Sequence, residues 1–303
     1  MPITIKGISR KELIIVEELS NKYRIEQQKT FEDCTFRDKL KFDLFRPAQE
    51  VMLTEDTKIS VNDMLIEYDG EQHQKPVRFN KITDSQMYKN FISTQIKDWC
   101  KDLYCITKNI PLVRINPTRK NNFDAIMQNS YLVGTAQASN DLITVFDINE
   151  TDFVNFKEAT FMIYSGVTCT FKCDKENNCQ VCQNWGLTKE KTITTSIASI
   201  IERFDKQSIS KAIAFQGLEP LDNLKQLLWF IYNFRQTHDN IVIIWTGYTE
   251  EECSDLIYLI KEKMNWKNII VKFGRFRYGE DAHYDPILGV KLASSNQYAK
   301  VIS

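Results

Sequence analysis

No apolar run in this chain is long enough to cross a bilayer. The longest, Leu227–Tyr232 and Ile241–Trp245, fall far short of the roughly 20 residues a spanning helix needs. The opening stretch, MPITIKGISRKELIIVEELS, is amphipathic and holds no secretory apolar region or cleavage site. A cytoplasmic setting is therefore expected and a membrane partner is not. Net charge is nearly absent as well, at −1 from 39 basic and 40 acidic residues, so no global field announces a nucleic-acid partner. Any such surface must be local. Internal repeats and low-complexity tracts are missing. In a reducing cytoplasm, disulfides are a poor explanation for eight cysteines. Cys34, Cys100, Cys105 and Cys253 are scattered and read as small buried hydrophobes.

What is there is an ordinary globular composition, 43% apolar and 26% charged. Its 303 residues suffice for one large or two medium domains with a proper core. The other four cysteines fall within one stretch, SGVTCTFKCDKENNCQVCQNWGL, as Cys169, Cys173, Cys179 and Cys182. Cysteines this close converge on one point, as a metal site requires. Zinc would take all four thiolates in a closed tetrahedron. An iron–sulfur cluster held by three would keep one iron open to a ligand. The spacing alone leaves both possible.

Downstream, Lys211–Phe215 reads as a short apolar strand that breaks at Gly217 into the turn Gln216-Gly-Leu-Glu219-Pro220. A leucine-rich helix follows, then the strand Ile241–Trp245 opening onto Thr246-Gly247-Tyr248. A cluster loop, a G-x-E-P turn and a T-G-Y turn in this order resemble the radical S-adenosylmethionine enzymes. More narrowly they resemble the activating enzymes of anaerobic ribonucleotide reductase. Phe273-Gly-Arg-Phe276 and Ser294-Ser-Asn-Gln297 resemble that family's C-terminal G-x-F and S-x-N-Q signatures. The likeness covers residues 150–303. It implies a [4Fe–4S] cluster on Cys169, Cys173 and Cys182, and S-adenosylmethionine near Asn184, Gln216, Gly217, Glu219 and Thr246. It also implies a glycyl-radical enzyme as partner, such as anaerobic ribonucleotide reductase, and a reductant such as flavodoxin. The family's loop is C-x3-C-x2-C, whereas eight residues here separate Cys173 from Cys182. Asn184 follows Cys182 as an asparagine follows the family's third cysteine, so 174–181 reads as a loop with an insertion. Cys179 is then a spare thiol, an alternative ligand, or a sign of zinc.

The N-terminal half carries a different pattern. Ser9–Tyr23 has helical period, with Ser9 as N-cap and Glu12 in the first turn. Lys39–Phe45 alternates as a strand around Asp43, and Met64–His73 reads as a second strand breaking at Gly70. Glu67 and Asp69, two apart, project to one strand face. A helix over 84–109 and a strand over 110–115 follow. Carboxylates on one face repel unless a cation sits between them; Mg²⁺ takes such oxygen ligands. This order, with IEYDGEQH, resembles the PD-(D/E)XK nuclease fold in its very-short-patch-repair-like branch, over residues 8–128. The likeness implies Mg²⁺ on Asp43, Glu67 and Glu12, with Asp69 beside them, and Gln72 or His73 orienting the water. The lysine expected two residues after Glu67 is absent; Asp69 stands there. Lys75, Arg78, Lys81, Lys89, Lys97 and Lys101 read as phosphate-facing or as ordinary solvated surface.

The expectation is thus an α/β chain of two domains. Residues 1–130 form a restriction-endonuclease-like domain, 131–150 a bridging segment with two small strands, and 151–303 a partial (βα) barrel of the radical S-adenosylmethionine type. The main reading is reductive cleavage of S-adenosylmethionine for a partner protein, with DNA as a further partner. Two others stand beside it. One is a DNA endonuclease of a phage or mobile element with a degenerate appendage; the other is a zinc-stabilised nucleic-acid-binding protein.

Overall fold

In the computed structural model, residues 16–17, 19–21, 23–79, 81–115, 140–178 and 182–303 are described. Glu12, Cys179 and most of the expected helix over 9–23 lie outside them. The chain divides into two compact units, Met1–Gln74 with Lys97–Ser139 and Lys75–Ile96 with Asn140–Ser303. Among the described residues, no helix is long and apolar enough to cross a membrane.

The first unit is built on a four-stranded sheet. Its elements are β1 (Glu26–Phe36), β2 (Asp38–Arg46), the hairpin β3 (Gln49–Thr54) and β4 (Thr57–Val61), β5 (Met64–Tyr68), the second half of α1 (Asp84–Lys108), and β6 (Leu112–Ile115). The sheet order is β1-β2-β5-β6, with β5 and β6 parallel and the other pairs antiparallel. On β2 the apolar residues Leu40, Phe42 and Leu44 are buried and alternate with Lys39 and Lys41, which are exposed. This is the two-residue period of a strand with one face on the core. Leu44, Met64, Ile66, Val113 and Ile115 pack there with Val16 and Leu19. Sequence patterning misses β1 and the β3–β4 hairpin, whose mixed polar residues lie mostly on exposed faces.

The second unit carries the βα alternation. After β7 (Leu142–Val145) and β8 (Ile148–Asp152) come β9 (Thr160–Gly166), the short α2 (Lys172–Glu176) and β10 (Ile193–Ser196). Next are α3 (Ile197–Lys206), β11 (Ala212–Gly217), α4 (Leu224–Phe234), β12 (Ile241–Trp245) and α5 (Ser254–Tyr258) with a π turn over Leu259–Lys263. β13 (Ile269–Phe273), β14 (His283–Asp285), β15 (Val290–Leu292) and β16 (Tyr298–Val301) complete it. The first half of α1 belongs to this unit. The main sheet runs β16-β13-β12-β11-β9-β8. Its four central strands are parallel and nearly all apolar, because helical crossovers bury both faces of a parallel sheet. Ser196 caps α3 by accepting from the Ser199 N–H at 3.1 Å.

Antiparallel β8 and β16 edge the parallel strands on either side. Of the expected bridging segment 131–150, residues 140–150 are described and belong to the second unit. β7 pairs with β10 and β8 with β9, all inside the second unit. Edge strands bury only part of their surface, so their sequence pattern is weak.

Candidate functional site

At the C-terminal ends of β9, β11 and β12 lies a cavity of about 280 Å³, lined by Cys169, Cys173 and Cys182 together with Asn184, Gln216, Gly217, Glu219 and Thr246. Every predicted cofactor residue of this half that is described therefore reaches one place. That is where parallel α/β sheets bind ligands.

Local geometry brings the thiols together. Phe171 takes a left-handed φ of 50° and turns the chain so that its N–H donates to Cys169 Sγ at 3.2 Å. Cys173 sits in the first turn of α2. Its thiol hydrogen-bonds Cys182, which raises the Cys173 pKa and lowers that of Cys182. Burial pushes the Cys169 thiol up. The loop is tied down by Asn177, whose Nδ2 donates to Cys173 O at 2.6 Å and Phe276 O at 3.3 Å. Three half-buried thiols facing one open cavity make a soft donor set, which suits iron–sulfur chemistry.

The turns opposite have distinct jobs. Gly217 has φ +127°, and a Cβ there would lie 2.7 Å from Gly166 O, so only glycine lets β9 and β11 close up. The Glu219 carboxylate is engaged by three donors. It is 5% exposed and accepts from Thr246 Oγ1 at 2.7 Å, Gly247 N at 2.8 Å and Leu221 N at 3.1 Å. Burial raises its pKa, against the pull of those donors. Glu219 and Thr246 thus lock the ends of β11 and β12 to each other. Asn184 Nδ2 donates to Gly217 O at 2.6 Å, linking the cysteine loop to the same turn. Gln216 Oε1 is buried with no partner, an acceptor left open beside the cavity.

The C-terminal motifs form a clasp. Gln297 Nε2 donates to Gly274 O at 3.2 Å and Asn296 Nδ2 to Arg275 O at 2.8 Å. A Cβ on Gly274 would meet Asn296 O at 2.8 Å. Sequence reading missed Lys272, the one charge in β13. It lines the cavity at 6% exposure, donates to Gly274 O at 3.0 Å, and burial lowers its pKa to about 8. A lysine interrupting IIVKF was the available signal.

The acidic residues of the first unit are wired differently from the expectation. Asp43 and Glu67 do meet: the Asp43 N–H donates to Glu67 Oε1 at 3.2 Å, and Asp43 Oδ2 accepts from Tyr68 N at 2.8 Å. Asp69 turns instead to Arg114, 2.7 Å from its Oδ1. The three carboxylates do not crowd one point. Lys101 Nζ lies 2.7 Å from Glu67 Oε2, although this lysine also read as solvated surface. Burial of Glu67 nevertheless raises its pKa to about 7. His73 Nδ1 lies 2.6 Å from Asp98. Burial works against its charged form, but the Asp98 hydrogen bond and the Asp98 and Asp69 charges outweigh it and raise the pKa. Asp69, His73 and Asp98 present ligand atoms all within 4.8 Å of one another. Gln72 folds back over Gly70, where a Cβ would lie 2.5 Å from its Oε1. Asp98 and Asp102, which sequence reading missed, are spaced with Lys101 as i, i+4 and i+3 on α1, hence on one helix face.

Residues 160–296 match the model of the family described as 4Fe-4S single cluster domain. No curated protein and no solved structure matches the chain. The matched stretch contains the cysteine loop and both turns, and it supports iron–sulfur binding in the second unit over zinc.

Proposed function

We propose that the second unit is a radical S-adenosylmethionine enzyme. A [4Fe–4S] cluster would be held by Cys169, Cys173 and Cys182, with S-adenosylmethionine in the same cavity. The bound pair supplies one-electron reductive cleavage of the sulfonium, giving methionine and a 5′-deoxyadenosyl radical. The observation that carries this reading is the convergence of three thiols, the Gly217–Glu219 turn and the Thr246–Tyr248 turn on one cavity.

The chain's own residues bind, orient and shield. Gln216 Oε1 needs a donor, and the methionine ammonium is one. Lys272 offers an ammonium for the methionine carboxylate. Glu219 works indirectly, as the clamp that keeps Thr246 and Gly247 in place. The resemblance assigns the radical to a glycyl-radical enzyme such as anaerobic ribonucleotide reductase, with an electron from a flavodoxin-type reductant. The test is anaerobic purification followed by iron analysis and dithionite reduction with S-adenosylmethionine. About four irons per chain and release of 5′-deoxyadenosine are expected. Zinc without iron, or iron without cleavage, would overturn the reading.

A second reading concerns the first unit. There Asp43, Glu67, Asp69, Asp98 and Asp102 outnumber the cations Lys101, Arg114 and His73 around them. Residual negative charge beside convergent oxygen and imidazole ligands favours a hard divalent ion. Asp69, His73 and Asp98 would hold it, in place of the expected Asp43, Glu67 and Glu12. Such an ion supplies a water of lowered pKa for phosphodiester hydrolysis. Lys101, beside Glu67, stands in for the lysine missing from the strand. Mg²⁺- or Mn²⁺-dependent nicking of single- or double-stranded DNA tests this, and its absence together with no thermal shift by either metal refutes it.

A further inference from the structure

The cavity is lined by residues 154–297, but those residues are not held in place by 140–303 alone. Residues 75–96, which precede the cysteine loop by some seventy positions of sequence, belong to the same compact unit. We infer that residues 84–95 of α1 are a positioning element of the cluster cavity, with Tyr88 setting the cysteine loop and Gln95 setting the turn opposite it. The inference rests on the cluster reading above.

Tyr88 is 4% exposed and touches two walls of the cavity. Its hydroxyl lies 3.3 Å from Thr170 Oγ1, between Cys169 and Cys173. Its ring meets that of Tyr248 edge to face at 5.3 Å, just beyond the Thr246–Gly247 turn. The Arg275 guanidinium stands 4.9 Å from the Tyr88 ring and 5.1 Å from the Tyr248 ring, pinning the pair. Lys172, next to Cys173, rests on the Tyr88 ring at 4.8 Å and lies 3.8 Å from Asp84. Asp84 and Tyr88 are four apart, so one helix face holds this ammonium.

Two turns further on, Gln95 is 5% exposed and uses both ends of its amide. Nε2 donates to Leu221 O at 2.9 Å, and Oε1 accepts from Leu224 N at 3.0 Å. These groups close the segment that begins at Gly217 and Glu219. Neither leucine nor glutamate at 95 could satisfy both buried partners. Phe91, Ile92 and Ile96 supply the ordinary apolar packing. A helix that only filled space would need no polar contact with both walls. Anchored at both, α1 fixes the cysteine loop relative to the two ligand turns.

The test uses the full chain, reconstituted anaerobically, with Tyr88→Phe, Tyr88→Leu, Gln95→Leu and the core control Ile92→Val. Readouts are iron content, the reduced-cluster EPR spectrum, the midpoint potential and the rate of iron loss to a chelator. Tyr88→Leu and Gln95→Leu are expected to lose iron at least ten-fold faster than wild type, with shifted potential and EPR g values. Tyr88→Phe keeps the ring and should restore most of the chelator resistance, while its EPR spectrum still differs through the lost Thr170 contact. Ile92→Val should lower the melting temperature without moving potential or spectrum. Iron-loaded variants at 88 and 95 that match wild type in potential, spectrum and chelator rate overturn the inference and leave the cluster reading standing. If Tyr88→Leu does not fold, a Tyr88→Phe spectrum identical to wild type decides against it. An iron-free wild type removes the cluster reading and this inference with it.

Discussion

Replacing Gly217 with alanine tests the closest backbone approach in the cavity. Gly217 pairs with Gly166 across β11 and β9, and Leu218 N donates to Gly166 O at 2.6 Å. An added Cβ would stand 2.7 Å from Gly166 O, 2.9 Å from its N and 3.1 Å from its Cα. All three are backbone atoms and cannot swing aside, so relief means parting the strand ends. The φ of +127° adds a second cost, of roughly 1–3 kcal/mol for a residue forced into a sparsely populated region. Overpacking typically costs about 1–3 kcal/mol more. The sum, roughly 2–6 kcal/mol, is a large fraction of the ~5–15 kcal/mol that holds a domain together. Amide hydrogen exchange in β9, β11 and β12 reads the second unit separately from the first. Gly247→Ala is the control: the nearest atoms to its Cβ would be the side-chain atoms Arg275 Cγ and Glu219 Oε2, at 3.3 Å, with backbone no nearer than Arg275 Cα at 3.8 Å. Protection should fall by the stated amount for Gly217→Ala and by less than about 1 kcal/mol for Gly247→Ala. A Gly217→Ala protein within about 0.5 kcal/mol of wild type would refute the argument.

Three further outcomes are expected. Single replacement of Cys169, Cys173 or Cys182 by alanine should abolish iron binding after reconstitution, whereas Cys179→Ala should keep it; the opposite result for Cys179 and Cys182 would reassign the third ligand. Lys272 loses its charge as pH rises through about 8, so S-adenosylmethionine affinity should weaken above that pH. Lys272→Met should weaken it roughly ten- to hundred-fold at neutral pH, the worth of a hydrogen bond to a charged group, and an unchanged titration would clear Lys272 of that role. Glu67 has a folded pKa raised to about 7 from 4.5, so its stabilising contribution is complete below pH 4.5 and lost as pH rises through 7. Hydrogen exchange in β2 and β5 should report about 3 kcal/mol less protection above pH 7, and Glu67→Gln should flatten that dependence.

Local chemistry made much of the second unit legible. Its strands are continuous apolar runs buried on both faces, its helices have the right period, and its turns are marked by glycine and proline. The thiols are close in sequence, so their meeting in space needed little from the fold. β1, the β3–β4 hairpin, β10 and the short strands β14–β16 escaped because partly exposed strands carry a mixed pattern.

What the sequence determined by itself were the groups that short-range geometry brings together: the cysteine loop, the glycine that lets two strands close, and the strand that carries Glu67. Tertiary structure alone decided the partners of the charges. Lys101 reaches Glu67 across 34 positions, Arg114 reaches Asp69 across 45, and Thr246 reaches Glu219 across 27. Tyr88 meets Thr170 across 82, which assigns the start of α1 to the cluster cavity. Hydrophobic period constrains which face of a helix or strand is buried, but it does not encode which distant polar group that face will meet. That choice follows from how the sheets and helices stack, once burial has made an unpaired charge too costly to leave.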